Sequence, residues 1–373
     1  MHPWCQGWTP FNINLHLFPA PVCFASSVPA TLPDSKMAIA YKRLSPSTRE
    51  IRLLEIQPSH NLDDPIKCRL VTVPHSKELE YIALSSLYGD PAETETIFAG
   101  GRPVTITAHL ALALRYMRAV FYPGILQRCQ RMPASRLHSV PRWLKHLFAS
   151  NSSHLRDGEL SRPGVLRVWL DFLCVNQNDE WETTKQPSDR KYIYGYADLV
   201  VGWLGEKTEH TDITISTMEE IEEAMPPYWG EQSHRKSHPE DYSPTHAWTK
   251  SIQHMWAVGP NGEPPFLMPH WLGCVELMNR PYFQRHWIVE EIATASFPTF
   301  LVGDTLVPWR QVLSLYRLME EFKFYSSDVF PGHLRAEVAS VPLETAQKLL
   351  DEYAKEKPSR DSSSSENLPR PPG

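Results

Sequence analysis

The sequence lacks the features of several protein classes. No stretch approaches the ~20 consecutive apolar residues that a membrane-spanning helix needs. The net charge of −6 gives no electrostatic basis for binding nucleic acid or an anionic membrane. The pair Gly100–Gly101 lacks the spacing of a phosphate-binding loop. We therefore expect a chain with no membrane span and no nucleic-acid partner.

The cysteines are few and scattered. The six of them form no Cys-x-x-Cys pair, which argues against a zinc ribbon. His234 and His238 are four residues apart, but they lie in a polar stretch without the clustered ligands of a metal site, so we expect no metal. Scattered cysteines in a chain of 373 residues favour reduced thiols and predict a cytoplasmic location.

The composition is that of a soluble globular protein. Apolar residues make up 42% and charged residues 21% of the chain, which is long enough for one large domain or two. Twelve tryptophans and thirty-four prolines favour a loop-rich domain with aromatic packing over a helical bundle.

Short apolar segments alternate with helical patterns, which predicts an α/β fold with a mostly parallel sheet flanked by helices. The candidate core strands lie near 81–85, 166–170, 199–204 and 298–302. Further strands are predicted at 52–56 and 68–73, with a hairpin around Gly100–Gly101. Thr107 is predicted to cap a helix that buries Leu110, Leu114 and Met117. Loop and helical insertions are expected at 122–164 and 207–280.

Polar residues follow the predicted core strands. Ser85, Ser86, Asp171, Asn176 and Gln177 lie just past strand ends, where ligands bind in open α/β sheets. Structural interpretations stay open, because Asp171 could instead accept hydrogen bonds from the backbone amides of the next loop. Asn176 and Gln177 could likewise shape that loop.

Two other residues have competing interpretations. Asp90 could line the pocket mouth, yet before Pro91 it is also an ordinary turn residue. Cys174 could be imagined as a nucleophile, but no histidine partner motif accompanies it, and a small buried residue is the better interpretation.

A helix predicted over 285–295 contains Glu291 one turn after Trp287. Its core face would consist of Ile288, Ile292 and Ala295. The acid beside an aromatic could cleave a glycosidic bond. It could equally form a local salt bridge, with Trp287 in the core.

Four segments in chain order support a family resemblance. They are Tyr81-Ile-Ala-Leu-Ser-Ser-Leu-Tyr-Gly-Asp90, Trp169-Leu-Asp-Phe-Leu-Cys-Val-Asn-Gln177, the set Glu182, Gln186, Ile193-Tyr194, Ala197 and Val201-Gly-Trp-Leu-Gly205, and Arg280-Pro-Tyr-Phe-Gln-Arg-His-Trp-Ile-Val-Glu-Glu291. Together they resemble the fungal heterokaryon-incompatibility (HET) domain over about residues 50–310. This resemblance implies a role in fungal non-self recognition and programmed cell death.

The chain departs from the family pattern at several positions. They are Ser86, Leu87 and Tyr88 in the first segment, Pro187 and Arg190 in the helix around 180–196, and Glu290 in the last segment. Pro187 predicts a distorted first turn of that helix. A diverged, inactive member is therefore an alternative.

HET domains are in turn similar to TIR domains, which implies a flavodoxin-like fold. Some TIR domains hydrolyse NAD with one glutamate that stands four residues after a tryptophan, as Glu291 follows Trp287. The likeness implies that NAD is a substrate rather than a bound cofactor, with Glu291 catalytic. Residues expected to bind it are Ser85, Ser86, Asp90, Asp171, Asn176, Gln177 and Trp287.

The resemblance leaves two functions open. One is NAD consumption after self-association, triggered by an unknown incompatibility partner protein. The other is a non-enzymatic module that signals by oligomerising.

The chain is expected to divide into four parts. Residues 1–45 would be a disordered leader or a start-site extension, with Met37 opening a more regular segment. The HET domain would span 46–310, a C-terminal helical extension 311–355, and a disordered tail 356–373.

Overall fold

The computed structural model describes residues 39, 41–45, 49–59, 61–122, 165–243, 246–256, 268–285, 288–295 and 298–325. Within them, a 9-stranded sheet has the order β5-β4-β2-β1-β6-β3-β7-β8-β9. The strands are β1 (Glu50–Ile56), β2 (Lys67–Pro74), β3 (Ile82–Ser85), β4 (Thr94–Ala99), β5 (Arg102–Thr107), β6 (Leu166–Trp169), β7 (Leu199–Gly205), β8 (Pro298–Val302) and β9 (Thr305–Pro308).

The centre of the sheet consists of the parallel strands β6, β3, β7 and β8. These are the four predicted core strands, and the α/β prediction is confirmed. All residues of β3 and the first six of β7 are buried. Strands covered on both faces have this near-continuous apolar sequence. Trp169 of β6 and Trp203 of β7 are 1% and 0% exposed.

The flanks of the sheet are largely antiparallel, which makes the whole sheet mixed. β1 runs antiparallel to both β2 and β6, and the outer pairs β4–β5 and β8–β9 are antiparallel hairpins. Each hairpin has a two-residue connection, too short for a parallel crossover. Gly100 and Gly101 turn the first one at φ 59° and 79°, a conformation that glycine adopts readily.

The described helices pack around this sheet. They are α1 (Ala108–Phe121), α2 (Asp171–Cys174), α3 (Glu180–Tyr196), α4 (Thr211–Ala224), α5 (Gln232–Ser237), α6 (Ala247–Ser251), α7 (Pro269–Met278), α8 (Ile288–Ala293) and α9 (Trp309–Glu320). Short 3₁₀ turns occupy Pro239–Tyr242, Gln253–Trp256 and Pro281–Gln284, and a π turn follows α9 at Glu321–Tyr325. None of the helices in these described segments has the length and apolarity needed to cross a bilayer.

Local signals explain where two helices begin. The Thr107 side chain accepts a hydrogen bond from the Leu110 amide, and the three predicted core residues of α1 are fully buried. Asp179 caps α3 by accepting from the amides of Trp181 and Glu182. The helix α3 then continues through residue 187, and its capped first turn is intact despite Pro187.

The region 207–280 contains more helix than its sequence pattern predicts. The sequence pattern alone predicts only a short acidic helix at Met218–Ala224, whereas α4 begins at Thr211. Its buried face includes Thr211, Thr214 and Thr217, which the apolar periodicity does not register. The helix α4 packs against both α7 and α9.

Several domain predictions fall outside the described residues. They concern most of the leader, the greater part of the insertion at 122–164, and the residues after 325. Residues 41–45, at the end of the expected leader, are described and contact the core. Tyr41 Oη donates to the Leu173 carbonyl, and Arg52 Nη2 donates to the Lys42 carbonyl at 2.5 Å.

Candidate functional site

Two adjacent parallel strands place Ser85 and Asp171 at the same edge of the sheet. The register of β3 and β6 pairs Ile82 with Val168 and Ala83 with Trp169. Ser85 is the last residue of β3, and Asp171 begins α2 two residues after β6 ends at Trp169. In open α/β sheets, ligands bind at the carboxyl edge of the central strands. The candidate site is therefore expected at this edge.

Glu291 reaches this edge from α8. Its side chain accepts a hydrogen bond from Ser85 Oγ through Oε2, and the residue is 2% exposed. Ser85 Oγ also lies 2.7 Å from the Tyr282 hydroxyl. A residue of β3, one of α8 and one of the turn before α8 therefore meet, although about 200 positions separate the first from the other two. On α8 and beyond it, Ile288, Ile292 and Ala295 are fully buried, which confirms the predicted core face.

Arg285 supplies the positive charge next to Glu291. Its Nη2 lies 4.0 Å from Glu291 Oε1, and its Nη1 donates to the Ser86 carbonyl at 2.5 Å. The guanidinium side chain is 19% exposed. A buried carboxylate is costly unless it is paired and hydrogen-bonded. Ser85 and Arg285 meet that requirement for Glu291.

Asp171 has a different environment from Glu291. The residue keeps some exposed surface, but its carboxyl group is enclosed by protein atoms, and its Oδ1 accepts a hydrogen bond from the Phe172 amide at 2.8 Å. Burial and then the negative charge of Glu291 raise the pKa of Asp171 to about 6, against the opposing effects of Arg285 and Arg190. A fraction of the Asp171 carboxyls therefore carries a proton near neutral pH, whereas an ordinary aspartate is almost fully ionised there.

Two buried tyrosines border the acids. Tyr194 and Tyr282 are 2% and 1% exposed. Burial and then the charge of Glu291 raise the pKa of both phenols well above the ordinary value. Both phenols therefore stay protonated near neutral pH, and the Tyr282 hydroxyl is a neutral hydrogen-bonding partner of Ser85.

Gly202 of β7 makes room for Tyr282. A Cβ atom on Gly202 would lie 2.5 Å from the Tyr282 hydroxyl and 2.8 Å from Phe300 Cδ1. We expect Gly202→Ala to lower the free energy of unfolding by about 1–3 kcal/mol, because overpacking forces buried side chains to shift. Urea unfolding measures the change.

Gly195 of α3 is the matched control for Gly202. The nearest atom to a Cβ at that position, the Thr294 carbonyl oxygen, is 3.7 Å away. Gly195→Ala should be neutral or stabilising, because alanine favours helix. Equal unfolding free energies for the two variants would contradict the packing argument.

The other predicted site residues have mainly local contacts. Asp90 is exposed, and its side chain accepts from the Ala92 amide, the pattern of a turn residue. Asn176 Oδ1 accepts from the Asn178 amide. Gln177 Nε2 donates to the carbonyls of Asp171 and Val175, so it shapes the loop beside Asp171. Trp287 lies outside the described residues.

Sequence reasoning did not select Tyr194, Tyr282 and Arg285. Tyr194 lies in the third of the four resembling segments, and the other two lie in the last. The three residues therefore lie within the segments that resemble the HET family, but the spacing of residues along the chain does not predict which side chains lie near Glu291.

Two further candidates do not form reactive centres. Cys174 is 2% exposed, and burial raises the pKa of its thiol to about 12, which suits a core residue and not a nucleophile. The rings of His234 and His238 stack with centroids 4.7 Å apart. Across the described segments, no three histidine, cysteine or acidic side chains are grouped to hold a metal ion.

Comparison with known proteins agrees with the resemblance of the four segments. Residues 143–291 match the sequence model of the family described as heterokaryon incompatibility protein (HET). The chain is 27% identical over 186 residues to "Heterokaryon incompatibility protein 6, OR allele" of Neurospora crassa. That match covers 48% of this chain and 22% of the relative. No solved structure matches the chain. These matches support a HET domain in this chain, whereas the TIR likeness stays a prediction.

Proposed function

Because this chain carries a HET domain, we propose that it acts in fungal non-self recognition by hydrolysing NAD. The name of the Neurospora crassa relative supports the biological role. One observation carries the chemistry: Glu291 accepts a hydrogen bond from Ser85 at the carboxyl end of β3. Loss of NAD would then lead to death of the fused cell.

Release of nicotinamide breaks a bond between ribose and nitrogen through an oxocarbenium-like transition state. Nicotinamide leaves as a neutral molecule, so this cleavage requires no general acid. What it requires is a fixed negative charge next to the ribose carbon. Glu291 fits this role, because Ser85 donates a hydrogen bond to its Oε2, the Arg285 guanidinium lies 4.0 Å from its Oε1, and the nearby Tyr282 phenol is neutral.

The experiment is a nicotinamide-release assay on the purified full-length chain. The assay should cover a wide range of protein concentration, because we expect self-association of the protein to activate NAD hydrolysis. We expect release that rises more steeply than in proportion to protein concentration. Absence of nicotinamide at every concentration would refute NAD hydrolysis.

A second function, a non-enzymatic module that signals by oligomerising, has one observation in its favour. Glu291 is 2% exposed, with Ser85, Tyr282 and Arg285 gathered around it. In this conformation the carboxylate does not face open solvent. Self-association by light scattering, without nicotinamide release in the same preparation, would favour this function over the enzymatic one.

A further inference from the structure

Two arginine–glutamate pairs of the fold differ in geometry. Arg52 donates to both carboxylate oxygens of Glu182, at 2.8 and 2.7 Å, and the two side chains are 1% and 3% exposed. The pair Arg285–Glu291 is more open, because Arg285 Nη2 lies 4.0 Å from Glu291 Oε1 and the Arg285 side chain is 19% exposed. At that separation the two groups attract each other without a hydrogen bond. The Arg285 guanidinium is therefore not closed off by its carboxyl partner.

The backbone and one nitrogen of Arg285 are held in place. The residue follows the 3₁₀ turn Pro281–Gln284, and its amide donates to the Tyr282 carbonyl. Its Nη1 donates to the Ser86 carbonyl at 2.5 Å, in the loop after β3. Within the described part of the chain, this is the one hydrogen bond that the guanidinium makes. A guanidinium has five N–H donors in one plane, so most of them are available to a ligand.

The position of this cation fits a phosphate of the proposed substrate. A guanidinium binds phosphate oxygens through two parallel hydrogen bonds, which are stronger than those between neutral groups. In NAD a phosphate is bonded to the 5′-oxygen of the same ribose whose C1′ bond breaks. A site that places Glu291 at C1′ therefore also meets that phosphate, and the two negative groups would repel each other without a cation beside them. Arg285 lies in that position.

We propose that Arg285 binds the 5′-phosphate of the substrate and thereby makes the site selective for nucleotides over nucleosides. This inference rests on the proposed function of the same site. It gives Arg285 a role in substrate binding beyond its attraction to Glu291, because the phosphate takes N–H donors that make no hydrogen bond to Glu291 or Ser86.

Three substrates test this inference, because each releases nicotinamide by cleavage of the same bond. NAD carries a pyrophosphate on the reacting ribose, nicotinamide mononucleotide carries one phosphate, and nicotinamide riboside carries none. We expect the full-length protein to have a kcat/KM for the mononucleotide about 10–100-fold above that for the riboside, the usual effect of hydrogen bonds to a charged group. NAD should exceed the riboside by at least as much.

Arg285→Gln should remove most of this preference. The kcat/KM for the mononucleotide should fall about 10–100-fold further than the kcat/KM for the riboside. A residue that acted only through Glu291 would lower release from all three substrates by the same factor, so the ratio isolates phosphate binding. Arg285→Lys keeps the charge but loses the planar fork, and it should retain only part of the preference.

Arg317→Gln is the matched control. The Arg317 side chain, on α9, is 18% exposed and pairs with Glu231 at 3.0 Å, so the loss of a similarly exposed arginine is compared at a different place in the fold. This variant should keep the wild-type ratio of the mononucleotide to the riboside.

The outcomes separate the two proposals. Equal kcat/KM for the mononucleotide and the riboside in the wild type, or a ratio unchanged in Arg285→Gln, overturns phosphate binding by Arg285 and leaves NAD hydrolysis standing. Release of nicotinamide from none of the three substrates overturns both. If Arg285→Gln fails to fold, Arg285→Lys decides, and a wild-type ratio in that variant overturns the inference.

Discussion

Glu291→Gln is expected to reduce nicotinamide release from NAD by about 10²–10³-fold or more, because the fixed charge next to the ribose carbon is lost. Glutamine has nearly the shape of glutamate, and its carbonyl oxygen can still accept the hydrogen bond from Ser85. The substitution therefore removes the charge and preserves the packing. Quantification of nicotinamide under identical conditions measures the loss.

Glu291→Gln should also change the pKa of Asp171, and this change would show that the site is still folded. The charge of Glu291 is second only to burial in raising the pKa of Asp171. In Glu291→Gln that pKa should fall, as NMR titration of the Asp171 carboxyl would show. Glu223→Gln, at an exposed acid on α4, is the control and should release nicotinamide as the wild type does. Equal release by Glu291→Gln and the wild type would refute a catalytic role for Glu291.

Glu182→Ala is expected to have the largest effect on stability. Glu182 forms a two-point ion pair with Arg52, at 2.8 Å to Nη1 and 2.7 Å to Nη2. The side chains of Arg52 and Glu182 are 1% and 3% exposed. The pair also organises the loop after α2, because Arg52 donates to the Cys174 carbonyl and Glu182 accepts from the Asn176 amide. It thus connects β1, this loop and α3.

Removal of one partner leaves the other charge buried and unpaired, so Glu182→Ala should lower the free energy of unfolding by about 3–5 kcal/mol. Replacement of both partners by methionine should cost much less, since no buried charge remains. Urea unfolding of the two variants measures the difference.

An exposed ion pair provides the matched control. Arg69 pairs with Glu55 across neighbouring strands, and the Arg69 side chain is 71% exposed. Arg69→Ala should lower the free energy of unfolding by about 0–1 kcal/mol, as is usual for surface pairs. A cost for Glu182→Ala no greater than that for Arg69→Ala would contradict the role of the buried pair.

Much of the fold could be predicted because its signals are local. The apolar segments at 81–85 and 199–204 became β3 and β7, since a strand covered on both faces needs apolar side chains on both. Thr107 began α1 because its hydroxyl accepts from an amide three residues away. Prediction failed where the local signal was weak. The first half of α4 has threonines at its buried positions, so it lacks the apolar periodicity that predicts a helix.

The strand order could not be predicted. β3 lies between β6 and β7, although more than 75 residues of sequence separate it from either. β1 lies between β2 and β6 and runs antiparallel to both. These neighbours depend on long-range packing, and no pattern within one segment records them.

The sequence by itself indicated the HET resemblance, the ends of the central strands and Glu291 as a candidate acid. Each of these features depends on residues that lie close together along the chain. Only the tertiary structure decided how Glu291 and Asp171 differ. The state of each carboxyl depends on its burial and on the donors near it, and for Glu291 those donors, Ser85 and Arg285, come from distant parts of the chain. The surroundings of the two acids therefore exist only once β3, α2 and α8 come together.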